Sequence, residues 1–144
     1  MNQPLNIPIK DGYRLECDYI YRWVDEGRIY RIVVPAGFIC DGASVPRFLW
    51  TLIGATPDGL NRAAALVHDF IYRNSGVLPN GSFWEEAPGG RLIALIDMPW
   101  TRVQADKLFA RILREAGVPR LRRRLMYRGV RLGGWMSWHK RKKS

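Results

Sequence analysis

Ala63-Ala64-Ala65-Leu66-Val67-His68-Asp69-Phe70-Ile71-Tyr72 is an apolar and aromatic run interrupted by one ionisable pair. It reads as a buried helix, from about Leu60 to Arg73, with a site inside it. A polar group withdrawn from water costs free energy unless something hydrogen-bonds or coordinates it, so His68 and Asp69 need partners from elsewhere in the chain. His68 and Tyr72 are four residues apart and share a face. Ala64 and Ala65, one turn earlier, leave room for a second helix.

The second helix is signalled downstream. Thr101 followed by Gln104 has the form of a capping box. Val103, Ala105, Phe109, Ile112, Leu113 and Ala116 then recur at helical spacing until Gly117-Val118-Pro119 stops them. Asp106 lies at the edge of that apolar stripe and is the expected partner of His68. A carboxylate bonded to one imidazole nitrogen fixes the tautomer and leaves the other nitrogen to act as a base on water. Asp69 points about 100° round the helix from His68, where it can hold a cation.

Ahead of these helices the pattern changes to period two. Residues 13 to 24 alternate apolar with polar, as a half-buried strand does. Asp25-Glu26-Gly27 supplies a turn, and Arg28 to Val34 resumes as the second arm of a hairpin. Phe38-Ile39-Cys40 is a third extended piece leading to Asp41-Gly42. Ser44 before Val45-Pro46 starts a short apolar helix, about Val45 to Ile53, and Gly54 to Gly59 is a loop. Asn74 to Gly90 reads as an irregular excursion, and Arg91 to Ile96 as either a strand or the floor of that loop. Leu121 to Tyr127 suggests one more short helix, with Gly133-Gly134 separating it from the tail. The expected fold is α+β: an amino-terminal antiparallel hairpin or small sheet packed against a carboxyl-terminal helical core. We expect one domain of residues 1–144, with a β-rich part (1–40), a helical core (44–117) and a basic, aromatic segment (118–144).

The charge is distributed unevenly. No acidic residue follows Glu115, while ten basic ones do, and these account for the whole net charge of +10. Such a segment suits phosphate, an acidic lipid surface or an acidic protein. Tyr127, Trp135 and Trp138 lie among those cations, a mixture suited to a lipid interface or to stacking on bases. The segment Arg120–Lys143 is therefore expected to meet an anionic membrane surface or nucleic acid, or to dock in an assembly. No signal peptide and no transmembrane segment is visible. Cys17 and Cys40 form no Cys-x-x-Cys pair, and a reduced cytosolic pair is the expectation.

Two resemblances rest on these motifs. Phe38-Ile39-Cys40-Asp41-Gly42-Ala43-Ser44-Val45-Pro46-Arg47, Ala64-Ala65-Leu66-Val67-His68-Asp69-x-x-Tyr72, Ala105-Asp106-x-x-Phe109 and Met126-Tyr127-x-Gly129-Val130-Arg131 together resemble an uncharacterised phage and prophage family, domain of unknown function 1353. That resemblance implies a bacteriophage gene product, made in the host cytoplasm; the basic, aromatic tail, suited to docking in an assembly, leads us to expect incorporation in the virion or tail beside other phage structural proteins. Secondly, His68-Asp69-x-x-Tyr72 followed by Asp106 is similar to the catalytic core of phospholipase A2. What this implies is His68 as base, Asp106 as the carboxylate that orients it and Tyr72 as a supporting hydrogen bond. It also implies Asp69 as a calcium ligand, for which Asp41 is a further candidate. The glycine-rich calcium loop of that family has no clear counterpart before His68.

Other chemistries fit less well. An HD-type phosphohydrolase needs further histidines, and the remaining one, His139, is in the basic tail. Zinc ligands at Cys17, Cys40, His68 and His139 lack local spacing. Ser44 suits a helix cap better than a nucleophile, and Gly-x-Ser-x-Gly is absent. Three function classes therefore remain: a lipid-ester hydrolase, a non-catalytic tail or tail-tip component whose His and Asp residues form a core polar network, and a nucleic-acid binder.

Overall fold

The computed structural model describes residues 4–9, 12–40, 62–135, 137 and 138. The helix expected over Val45–Ile53, the cap at Ser44 and the cation ligand at Asp41 lie outside the described residues.

The hairpin forms as its alternation dictates. In β3 (Tyr19–Asp25), Tyr19, Tyr21 and Trp23 face inward and Ile20, Arg22 and Val24 outward. It pairs antiparallel with β4 (Arg28–Val34), from Tyr19 opposite Val34 to Asp25 opposite Arg28. Glu26 and Gly27 both have positive φ, 48° and 77°, which matches the twist of a tight hairpin.

Residues 13 to 24 are not one strand. β2 (Gly12–Leu15) pairs with β1 (Asn6–Ile9) and β5 (Ile39–Cys40) in a separate three-stranded antiparallel sheet, ordered β1-β2-β5. The chain bends at Glu16 and Cys17, between the two sheets. Backbone bonds from Glu16 N–H to the Leu5 carbonyl (2.8 Å) and from Leu15 N–H to that of Phe38 (2.9 Å) fix the bend, and the Asp18 carboxylate accepts from the Ala36 N–H at 2.8 Å. Polar–apolar alternation continues through the bend, so periodicity alone does not mark it.

The segment Asn74–Gly90 is more ordered than its glycines and prolines suggest. β6 (Phe83–Glu86) joins β4 and carries β7 (Leu92–Ala94) beside it, giving a four-stranded antiparallel sheet ordered β3-β4-β6-β7. Glu86 holds Arg22 and Arg31 together at 2.5–2.7 Å across three strands of its outer face. Arg91–Ile96 is thus resolved in favour of a strand.

Three helices follow among the described residues: α1 (Arg62–Arg73), α2 (Arg102–Glu115) and α3 (Arg120–Gly133). Every residue of α1 from Ala63 to Tyr72 is buried. It packs on α2, and α2 on α3. The capping box is present as read, with Thr101 accepting from the Gln104 N–H and Gln104 from the Thr101 N–H. α3 is about twice the length of the helix expected over Leu121–Tyr127, because Gly129, a helix-weakening residue, is buried along with Met126 and Val130. One hydrophobic cluster unites Trp23, Ile32 and Val34 of the sheet with Leu66, Phe70, Phe109, Ile112, Met126 and Val130 of the helices. The fold is α+β.

α1 ends where Gly76, at φ +81°, donates its N–H to the Ile71 carbonyl. A Cβ there would sit 2.1 Å from the Trp100 carbonyl oxygen, whereas at Gly81, φ +89°, it would meet nothing within 4 Å. Gly76→Ala should therefore cost well over 1 kcal/mol, and Gly81→Ala only the backbone strain of about 1–2 kcal/mol. Urea unfolding of both variants tests this, and an equal loss from the two would contradict the close approach at Gly76.

Candidate functional site

The site is set by which faces α1 and α2 turn to one another. His68 and Tyr72 lie one turn apart on α1, and Asp106 lies at the start of the second turn of α2. The three meet. His68 Nε2 is 2.7 Å from Asp106 Oδ1, and the Tyr72 hydroxyl donates to the same oxygen at 2.6 Å. The imidazole also packs on Tyr72 and Phe109, with ring centroids 4.1 and 4.8 Å away.

The second carboxylate oxygen goes to a residue of the basic segment expected to meet an anionic surface or to dock in an assembly. Arg131 of α3 donates from Nη1 to Asp106 Oδ2 at 2.8 Å. Arg102, the first residue of α2, donates from Nε to the Tyr72 hydroxyl at 3.1 Å. Its Nη2 donates to the Val130 carbonyl at 3.0 Å and to that of Arg131. A guanidinium on the last carbonyls of α3 also complements the negative end of that helix dipole. The network thus joins all three helices.

Its electrostatics follow from burial. The side chains of His68 and Asp106 are both 0% exposed, and that of Arg131 is 31% exposed. Desolvation pushes the His68 pKa below its ordinary value and outweighs the hydrogen bond to Asp106 and its charge, which act the other way. Desolvation pushes the Asp106 carboxyl up, but pairing with His68, through hydrogen bond and charge, together with the bonds from Tyr72 and Arg131, outweighs it and holds the group below the usual carboxylate range. Arg131, whose guanidinium stays charged, supplies a formal positive charge beside Asp106. Burial, with the bond to Asp106, raises the Tyr72 phenol well above its ordinary value, so it remains a donor. An ionised carboxylate only accepts, so Nε2 of His68 carries a ring proton. Three bonds to a charged acceptor, about 1.5–3 kcal/mol each, are of the size needed to offset several kcal/mol of carboxylate burial.

Asp69 is 2% exposed, and its Oδ2 lies 3.6 Å from Arg73 Nη2, one turn along α1. Calcium takes about six to eight oxygen ligands. Among the described residues no three His, Cys, Asp or Glu side chains gather as a metal-holding group. The cation beside Asp69 is a guanidinium, and the described residues do not by themselves make a calcium site. A cavity of about 460 Å³ lies elsewhere, between the sheet and α2, lined by Trp23, Tyr30, Phe83, Trp100, Gln104 and Lys107 among others. His68, Asp69, Tyr72 and Asp106 are not part of its lining. Trp138, expected among the surface aromatics, is 7% exposed and packs edge-on against Tyr72 at 5.0 Å. Cys17 and Cys40 are not bridged. No helix among the described residues is long and apolar enough to cross a membrane.

Sequence reasoning found His68, Tyr72 and Asp106 and missed Arg102 and Arg131. A usable signal was present: a buried carboxylate beside a neutral imidazole requires a cation.

The pH dependence of stability tests these charge states. A histidine with a lowered native pKa takes up its proton more readily when unfolded, so stability falls as pH drops below about 6.5. Asp106, with a depressed pKa, adds a second loss as pH falls below about 4 towards its native value. The first arm, at most about 1.4 kcal/mol per pH unit, should be absent from His68→Gln. An identical pH profile for wild type and His68→Gln between pH 7 and 5 would contradict a neutral His68.

A family model described as "Protein of unknown function (DUF1353)" matches residues 13–130. No match was found among curated proteins or among solved structures. The matched region runs from β2 into α3 and takes in the hairpin, His68, Tyr72, Asp106 and Arg102; the chain belongs to the DUF1353 family.

Proposed function

We propose that the chain is a phage-encoded, virion- or tail-associated protein whose His68–Asp106 pair is a phospholipase A2-like site hydrolysing lipid esters. The observation that carries this reading is the 2.7 Å contact of His68 Nε2 with Asp106 Oδ1, with the Tyr72 hydroxyl on the same oxygen. In this reading the neutral ring keeps its proton on Nε2 against Asp106, and Nδ1 serves as the general base. The phage part rests on the resemblance of the ordered motifs, and the virion or tail part on the basic, aromatic carboxyl-terminal segment, which suits docking in an assembly.

In this reading Nδ1 takes a proton from water as the water oxygen bonds to the ester carbonyl carbon. Collapse of the adduct breaks the carbon–oxygen bond to the alcohol, whose oxygen receives the proton back from the imidazolium. The acid product loses its own proton to solvent. Asp106 holds the ring and stabilises the transient imidazolium, while Arg131 and Tyr72 keep Asp106 ionised. No step is assigned to a metal. Calcium at Asp69 and Asp41 remains an expectation of the resemblance, and chelation tests it.

The complete burial of both side chains favours a second reading: a non-catalytic tail component in which the same residues lock three helices. Fatty-acid release from phosphatidylglycerol vesicles separates the two, measured with calcium and with chelator. The hydrolase reading expects turnover by wild type and a loss of about 10²–10⁴-fold in His68→Asn at unchanged fold by circular dichroism. Folded wild type inactive under both conditions would overturn it and leave the structural reading.

A further inference from the structure

α3 buries Met126, Gly129 and Val130 against α2 and turns a second apolar stripe outward. Leu121, Leu125 and Leu132 are 70%, 43% and 83% exposed. Their spacings of four and seven residues place them on one line along the helix. Trp135, 54% exposed, continues that line past the helix end. Arg128 occupies the gap between Leu125 and Leu132. By helical geometry Arg120 and Arg124 border the stripe on one side and Arg122 on the other, and all four arginines are exposed.

We propose that this face of α3 docks on an anionic phospholipid surface, with the three leucines seated between headgroups and the arginines on lipid phosphates. Two features favour lipid over other polyanions. Aliphatic side chains gain nothing from a nucleic-acid backbone, which rewards cations and stacking rings, whereas a bilayer interface rewards buried apolar area and cations together. Cations border the leucines on both sides, as a planar surface with charge at headgroup level requires. The docking goes beyond the hydrolase reading and does not depend on it, because His68 lies in the core and contributes nothing to this face.

The test is co-sedimentation of the full chain with phosphatidylcholine vesicles, with and without phosphatidylglycerol, beside a single-stranded oligonucleotide titration at the same ionic strength. Wild type should bind the mixed vesicles and bind pure phosphatidylcholine weakly. The triple variant Leu121→Gln, Leu125→Gln, Leu132→Gln should bind mixed vesicles at least about tenfold more weakly. Its oligonucleotide affinity should not change. All three positions are exposed, so the fold is kept, and an unchanged melting temperature checks that. His68→Asn should bind vesicles like wild type, which separates failure of docking from failure of catalysis. Equal vesicle binding by wild type and the triple variant would overturn the proposal in favour of plain charge attraction. Failure of wild type to bind the mixed vesicles would overturn it too, whether or not the chain binds the oligonucleotide.

Discussion

The Asp106 carboxylate is the constraint on which the helical half of this protein depends. It is wholly buried, ionised, and accepts from α1 through His68 and Tyr72 and from α3 through Arg131. A charge in that position is tolerated only with good geometry and a full set of donors, and each donor comes from a different turn of the structure. Removing the carboxylate would take a shared acceptor from an imidazole, a phenol and a guanidinium together. Arg102 extends the same logic to the end of α3, tying its last carbonyls to the Tyr72 hydroxyl. The orientation of three helices is thus specified by polar contacts, and apolar packing fills the space between them.

The sheet contributes the other wall of the core. Its inner face is aromatic: Trp23 stacks with Tyr21, Tyr30 and Phe83 at centroid distances of 5.6–6.2 Å. Tyr21 also reaches α2, donating to Glu115 at 2.7 Å, while Arg111 donates to the Val24 carbonyl at 2.8 Å. Both bonds lie toward the carboxyl-terminal end of α2, away from Asp106. α2 is accordingly anchored to the sheet at one end and to the polar network at the other, which fixes the carboxylate relative to the rest of the core.

Much of this arrangement is legible in the sequence because it depends on local periodicity. Helical spacing puts His68 and Tyr72 on one face, the capping box fixes the start of α2, and the two together bring Asp106 to His68. What depends on pairing or on long-range charge is not legible in this way. Phe83–Glu86 becomes a strand because β4 offers it a free edge, although its flanks read as loop. The alternation from Tyr13 to Val24 runs through a bend that carries the chain from one sheet to another. Gly129 marks a weak point by propensity, yet burial against α2 carries the helix past it. Arg131 is hidden among the ten basic residues after Glu115, and only its distance to Asp106 separates it from the exposed arginines of the same helix.

The charge states of the buried pair decide whether the site is a poised base or only a lock, and also whether Arg131 is its true counter-ion. The most direct measurement is the nitrogen-15 chemical shifts of the His68 imidazole followed from pH 8 to pH 5. The expected result is a neutral ring at pH 7, protonated at Nε2, that titrates below pH 6.5. A ring carrying protons on both nitrogens at pH 7, or the opposite neutral tautomer, would contradict it.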